Sequence, residues 1–228
     1  MAHYKPTQVE VETVARVTVN VLATIGYQSC FVGSMACSRY GLRRVPNDID
    51  IVVLTSEKTA EELKNLLVRT DSRFYLVRSK DPSASYRVLW FNLLNTAGSS
   101  YILGRYHACK ADILLPGIMN IPPVPQNLVV YIREFPLMPM IPLLLLKLQA
   151  WLDHGNATKQ HLREKQPVDA QDINQLLILA VARGVKLSAE AWMPESFVEA
   201  AKRRVVVYGE KFPGSRCHWR QLGLERNV

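Results

Sequence analysis

The sequence predicts an α/β (α+β) fold, a small mixed β-sheet flanked by helices and followed by a C-terminal helical region. Three observations predict it. Between residues 9 and 115, apolar runs of strand length alternate with stretches of helical periodicity. A stiff connector, Ile121-Pro122-Pro123-Val124-Pro125, then interrupts the chain. Beyond it the pattern is mainly helical, which places a boundary near residue 118 and gives two regions, 1–118 and 119–228.

The elements follow in order. Thr7 and Glu10 have the spacing of a capping box ahead of the periodic run Val9 to Ile25, a first helix closed by Gly26. Tyr27 to Val32 is short and β-rich, and it ends at Gly33-Ser34. Met35 to Tyr40 fits one short helix with Gly41 as terminator. Asn47-Asp48 signals a turn before the β-branched strand Ile49 to Leu54. Thr59 and Glu62 form a second capping box, opening a helix to about Val68. Arg73–Ser79 and Tyr86–Leu93 read as strands around the loop Lys80-Asp81-Pro82-Ser83, and a further strand, His107–Leu115, stops at Pro116-Gly117. Helices are expected over Pro142–Asp153, Val168–Arg183 and about Glu195–Tyr208.

Composition narrows the class. With 228 residues, 48% of them apolar and 21% charged, the chain buries an ordinary core without disulfides or a structural metal. Cys30, Cys37, Cys109 and Cys217 form no C-x-x-C pair and the N-terminus is polar, so free thiols and a cytoplasmic, intracellular setting are expected, the nucleus included. The most apolar stretch, Phe135 to Leu146, is too short for a membrane span and carries three prolines, so no membrane partner is expected. The formal charge of +8 favours an anionic partner such as a nucleotide or a nucleic acid.

The chemistry concentrates in Asp48-Ile49-Asp50. Residues i and i+2 of a strand point to one side, so the two carboxylates project together while Ile49 turns inward. Like charges about 6–7 Å apart on one strand face are unfavourable unless a cation lies between them. Mg²⁺ suits such oxygen donors, taking one or two carboxylates and completing its shell with water and phosphate oxygens. Alone, a D-x-D is more often a turn cap followed by a surface strand residue. Gly33-Ser34 adds a glycine at a strand end and a helix start, where backbone N–H groups favour an anion. Asp112 lies inside an otherwise apolar strand, which is costly unless it is paired or holds a metal. Lys110, two residues earlier on the same side, is its plainest partner.

These residues together resemble the DNA-polymerase-β-like nucleotidyltransferase superfamily. Phe31-Val32-Gly33-Ser34, thirteen residues and then Asp48-Ile49-Asp50-Ile51 are similar to its two-part signature, and Asp112 falls where the superfamily carries a third carboxylate. The likeness covers roughly residues 27–115, and it extends to small AbiEii-type and aminoglycoside-nucleotidyltransferase-like members. It implies a nucleotidyltransferase fold, with residues 1–118 as the catalytic domain and 119–228 completing the substrate cleft. It also implies Asp48, Asp50 and Asp112 as catalytic metal ligands for two Mg²⁺ ions, or Mn²⁺, with an NTP as substrate and pyrophosphate as leaving group. Gly33, Ser34, Arg44, Lys110 and Lys147 are the nucleotide-binding candidates.

Lys147 interrupts a helix apolar nearly all round, so it either reaches the triphosphate, as in similar small nucleotidyltransferases, or pairs with a carboxylate such as Asp172. Lys165 to Ile173 resembles the K-D-x-x-D helix start of AbiEii-type enzymes, and Asp169 and Asp172 also suit a first helical turn. Arg39, Arg43 and Arg44 either steer the triphosphate or form a solvated basic loop. From Ala201 onward the chain carries a net +5 with Tyr208 and Trp219 interleaved, either an RNA contact surface or a solvated tail. The histidines show no metal-ligand spacing. The expected activity is transfer of a nucleoside monophosphate, AMP above all, to a hydroxyl acceptor that is a small molecule, a protein or a tRNA. The alternative is a non-catalytic nucleotide- or RNA-binding module of the same fold.

Overall fold

A computed structural model describes residues 4–81, 84–93 and 107–225. Pro82 and Ser83 of the loop beginning at Lys80 and Arg226 of the basic C-terminal stretch lie outside the described residues. The chain forms two compact units. The first is Met1–Ile118 with Val129–Leu137, and the second is Met119–Leu128 with Met138–Val228.

In the first unit, α1 spans Gln8–Thr24, β1 Ser29–Val32, α2 Gly33–Tyr40 and β2 Asp48–Val53. They are followed by α3 Ala60–Thr70, β3 Phe74–Arg78, β4 Arg87–Asn92 and β5 Ala108–Leu114. Both capping boxes form: Thr7 Oγ1 accepts from Glu10 N at 3.3 Å while Glu10 Oε2 accepts from Thr7 N at 2.8 Å, and Thr59 and Glu62 repeat the arrangement. Gly41 ends α2 in the left-handed conformation at φ 118°, which glycine adopts without strain.

Two short strands complete the sheet, β6 Val130–Ile132 and β7 Phe135–Leu137. The strand order is β3-β4-β5-β2-β1-β7-β6. β2 and β5 run parallel, as do β1 and β7, and the other neighbours are antiparallel. The return of residues 129–137 to this unit differs from a single cut near residue 118. Phe135 meets Phe31 edge-to-face at 6.2 Å, and Arg16 reaches Glu134 at 2.6 Å. Aromatic packing and an ion pair thus hold a segment whose proline, Pro136, hides its strand character from a sequence pattern.

Burial alternates along the two central strands. Ile49 and Ile51 of β2 and Ala111 and Ile113 of β5 are buried, whereas Asp48, Asp50, Lys110 and Asp112 are half-buried. One face therefore enters the core and the other carries the charges, as the period of two requires.

In the second unit, α4 spans Met140–Gly155, α5 Gln160–Arg163, α6 Gln166–Ala182, α7 Glu195–Lys211 and α8 Arg216–Leu222. Pro139 precedes α4 and Pro142 lies in its first turn, where no intrahelical N–H bond is lost. Segment 119–128 is tied to α4 by Gln149, which donates to the Met119 carbonyl at 3.1 Å and accepts from Asn120 at 3.2 Å. Trp151, Tyr208 and Trp219 form the aromatic centre, Tyr208 meeting Trp151 at 4.8 Å and Trp219 at 6.0 Å, both edge-on. α8, in the stretch that reads as tail from sequence, buries Trp219 and Leu222. Among the described residues no helix is long and apolar enough to cross a membrane.

Candidate functional site

The β2–β5 register builds the charged face. In this parallel pairing Asp48 lies opposite Lys110, and Asp50 lies opposite Asp112. Neighbouring strands are about 4.8 Å apart and alternate residues along a strand about 6–7 Å. The four side chains thus stand at the corners of a small rectangle on one face. The local sequence explains it: D-I-D and K-A-D each place polar residues at i and i+2 around a buried apolar residue.

Gly33 borders this rectangle. β1 pairs antiparallel with β2, placing Val32 opposite Asp50, and Gly33 then turns into α2 at φ 58°. A Cβ added at Gly33 would lie 2.0 Å from Asp50 Oδ2. Glycine is therefore demanded twice, by the left-handed backbone and by the carboxylate against it. Phosphate approach was the reason expected from sequence; contact with Asp50 is a reason only the structure supplies. Ser34 follows, buried in the first turn of α2.

Lys110 supplies a cation to this face. Its Nζ donates to Asp112 Oδ2 in a tight ion pair with the lysine side chain 34% and the carboxylate 33% exposed. Burial acts to lower the Lys110 pKa. The charge of Asp112, the hydrogen bond to it, and then the charges of Asp48 and Asp50 outweigh that and hold the ammonium above the ordinary lysine value. Behind the face, burial pushes the Cys109 thiol up to about 12, helped by the charges of Asp48 and Glu10.

The donor set suits Mg²⁺ in kind, since all three carboxylates are hard oxygen donors on one side of a sheet. It is not a preformed cage. Among the described residues no three His, Cys, Asp or Glu side chains come together to hold a metal ion. The three carboxylates expected from the resemblance thus share a face, on which Lys110 pairs with Asp112.

Lys147 is buried in the second unit, with Nζ 2.9 Å from Asp172 Oδ2 and 3.5 Å from Asp169 Oδ1. The carboxylate partner is the one of the two expected roles that this geometry displays. Asp169 lies in the first turn of α6 and Asp172 one turn later, so only Asp169 has the helix-start position expected for both. His154 joins them, its Nδ1 2.6 Å from Asp169 Oδ2. His154 carries no signal of this role in metal-ligand spacing, yet 147 and 154 lie two turns apart on one helix and 169 and 172 one turn apart on another. Arg39 pairs with Glu12 at 2.8 Å and lies over the Phe135 ring. Arg44 is half-buried in the loop between α2 and β2.

The basic C-terminal stretch is partly neutralised. Lys202 pairs with Glu199, and Arg216 and Arg220 share Glu225. Tyr208 and Trp219, read from sequence as interleaved among the charges, are core residues at 2% and 0% exposure, so neither ring is presented for base stacking. Cys30, Cys37, Cys109 and Cys217 form no disulfide, and the first three are buried.

No protein-family model matches the sequence, and no curated protein matches it. Among solved structures, the fold is similar to that of an antigenic nucleotidyltransferase-like protein from Paracoccidioides brasiliensis, with a TM-score of 0.65, 14% identity, and 93% of each chain covered. At that identity the likeness is one of fold, and the chain has a nucleotidyltransferase-like α/β fold.

Proposed function

We propose that this chain is a magnesium-dependent nucleotidyltransferase of the DNA-polymerase-β-like superfamily, an AbiEii-type or aminoglycoside-nucleotidyltransferase-like small member. It transfers a nucleoside monophosphate, AMP above all, from an NTP to a hydroxyl on a small molecule, a protein or a tRNA. The observation that carries the reading is the β2–β5 register, which gathers Asp48, Asp50 and Asp112 on one face beside the Gly33 turn. The fold likeness to a nucleotidyltransferase-like protein supports it.

Asp48 and Asp50 are the residues that would hold divalent ions, with Asp112 joining them. When bound, such ions supply charge to the attacking and leaving oxygens of an in-line displacement. The chain's own residues do the rest. Asp112 accepts the proton of the attacking hydroxyl at its carboxylate. The first turn of α2, from Gly33 and Ser34, turns backbone N–H groups toward the departing phosphates. Arg44 adds positive charge from the adjoining loop.

The test is incubation of the full chain with labelled ATP, CTP, GTP or UTP, Mg²⁺ and pools of aminoglycoside, protein and tRNA acceptors. The expected result is pyrophosphate release with label transfer, abolished by Asp48→Asn with Asp50→Asn. Retained NTP binding with no pyrophosphate from any pool would leave the second reading, a non-catalytic nucleotide- or RNA-binding module. The Lys110–Asp112 ion pair is the observation that favours that reading. An RNA acceptor docked on the C-terminal charges predicts binding that falls steeply with salt.

A further inference from the structure

Three carboxylates on one sheet face need a counter-charge even when no ion is bound. The register supplies one from the chain itself. Lys110 stands opposite Asp48, its ammonium donates to Asp112, and Asp50 faces Asp112 across the strands. Its aliphatic stem rises from β5 between Cys109 and Ala111, both buried, so the ammonium starts from a fixed base in the sheet. Among the described residues, no three potential metal ligands converge as the side chains stand. On the same face one oxygen of Asp112 already accepts from the Lys110 ammonium.

We propose that Lys110 is a resident counter-ion of the carboxylate face, holding Asp112 in the absence of a divalent ion and releasing it when one binds. The proposal rests on the nucleotidyltransferase reading of Asp48, Asp50 and Asp112. Lys110 acts through Asp112 and is a positioning residue. Its presence lowers the affinity of the face for a divalent ion, because the incoming charge must displace an ammonium and then sit near it. A divalent ion alone therefore displaces the ammonium at a cost, and a second anionic group, such as an NTP phosphate, that draws the ammonium away strengthens the loading. Metal binding and nucleotide binding become linked through one side chain.

Mn²⁺ alone, without nucleotide, is the probe, titrated into the full chain and followed by the electron paramagnetic resonance of the free ion. Lys110→Met is expected to bind Mn²⁺ roughly tenfold more tightly than the natural chain, the effect of removing one nearby charge in a partly screened site. Equal or weaker binding by the variant, with binding by the natural chain intact, overturns the counter-ion role and leaves the nucleotidyltransferase reading standing. Absence of Mn²⁺ binding by both chains removes the metal face itself, and the inference with it. A second measurement needs no variant. Acylation of Lys110 by an amine reagent, read by mass spectrometry in the natural chain, is expected to rise several-fold when Mn²⁺ is added, as the ammonium leaves Asp112. An unchanged rate means the ion pair is not displaced, and the proposal fails.

Discussion

Each unit of this molecule places a lysine among aspartates, and the two arrangements differ in what they leave available. On the β2–β5 face, Lys110 contacts Asp112 with both side chains about a third exposed, and within that quartet carboxylates outnumber the ammonium. In the helical unit, Lys147 is 11% exposed and held between Asp172, 2% exposed, and Asp169, which His154 also contacts. Burial makes the difference. Charges withdrawn from water require close partners, so the helical cluster is closed on itself and serves to fix α4 against α6. Charges at a half-exposed sheet face are screened by water and depend less on any one partner. A lysine beside an aspartate is thus closed off from water in one setting and, on the proposal above, adjustable in the other.

The largest expected effect breaks the closed cluster. Lys147→Met leaves Asp172 buried without its ammonium and should destabilise the fold by about 3–5 kcal/mol, measured by urea denaturation. The corresponding change at the open face, Lys110→Met, should shift the urea midpoint far less. Similar losses for the two would show that exposure is not what separates them. Next in size is Gly33→Ala. It forces an alanine into the left-handed region and against Asp50, and a loss of about 1–3 kcal/mol is expected by the same measurement. A neutral result would mean that the Asp50 carboxylate moves freely, and the face is looser than its register implies.

A smaller effect sharpens the comparison through pH. Glu10 accepts from the Tyr4 hydroxyl at 2.6 and 2.7 Å and from the Thr7 N–H. Burial raises its pKa, but these hydrogen bonds and the charge of His107 outweigh burial and hold it below the usual glutamate value. A carboxyl depressed in the fold contributes stability above its unfolded pKa and loses it as pH falls through the folded one. The natural chain should therefore exceed Glu10→Gln in stability near neutral pH, and the gap should close on acidification. A constant gap in melts across that acid range would assign the loss to shape rather than charge. The smallest effect is on the open face itself. Asp48→Asn with Asp50→Asn should leave the ligand-free melting temperature nearly unchanged while abolishing stabilisation by NTP with Mg²⁺. Survival of that stabilisation would remove the pair from the metal role.

Much of the sheet unit is legible in the sequence because its signals are local. The Thr7–Glu10 and Thr59–Glu62 boxes, the Gly41 terminator and the alternation of D-I-D-I need only neighbours within a few residues. Segment 130–137 is less legible. Its strands are three residues each, one contains Pro136, and their reason for existing is β1, about a hundred residues earlier. The burial of Tyr208 and Trp219 is hidden for a similar cause, since aromatic rings among arginines read as surface until the packing of α4, α6, α7 and α8 is known.

By itself the sequence determined which residues carry charge into a strand, and on which side. D-I-D and K-A-D at a period of two admit one reading once those segments are strands. Only the tertiary structure decided that the two strands lie side by side and parallel, with Asp50 against Asp112 and Asp48 against Lys110. Strand pairing over some sixty residues is set by burying both apolar faces in one core, a property of the whole chain that no local window contains. The same holds for Lys147: its isolation in an apolar helix is visible in sequence, whereas its partners on α6 follow from helix packing.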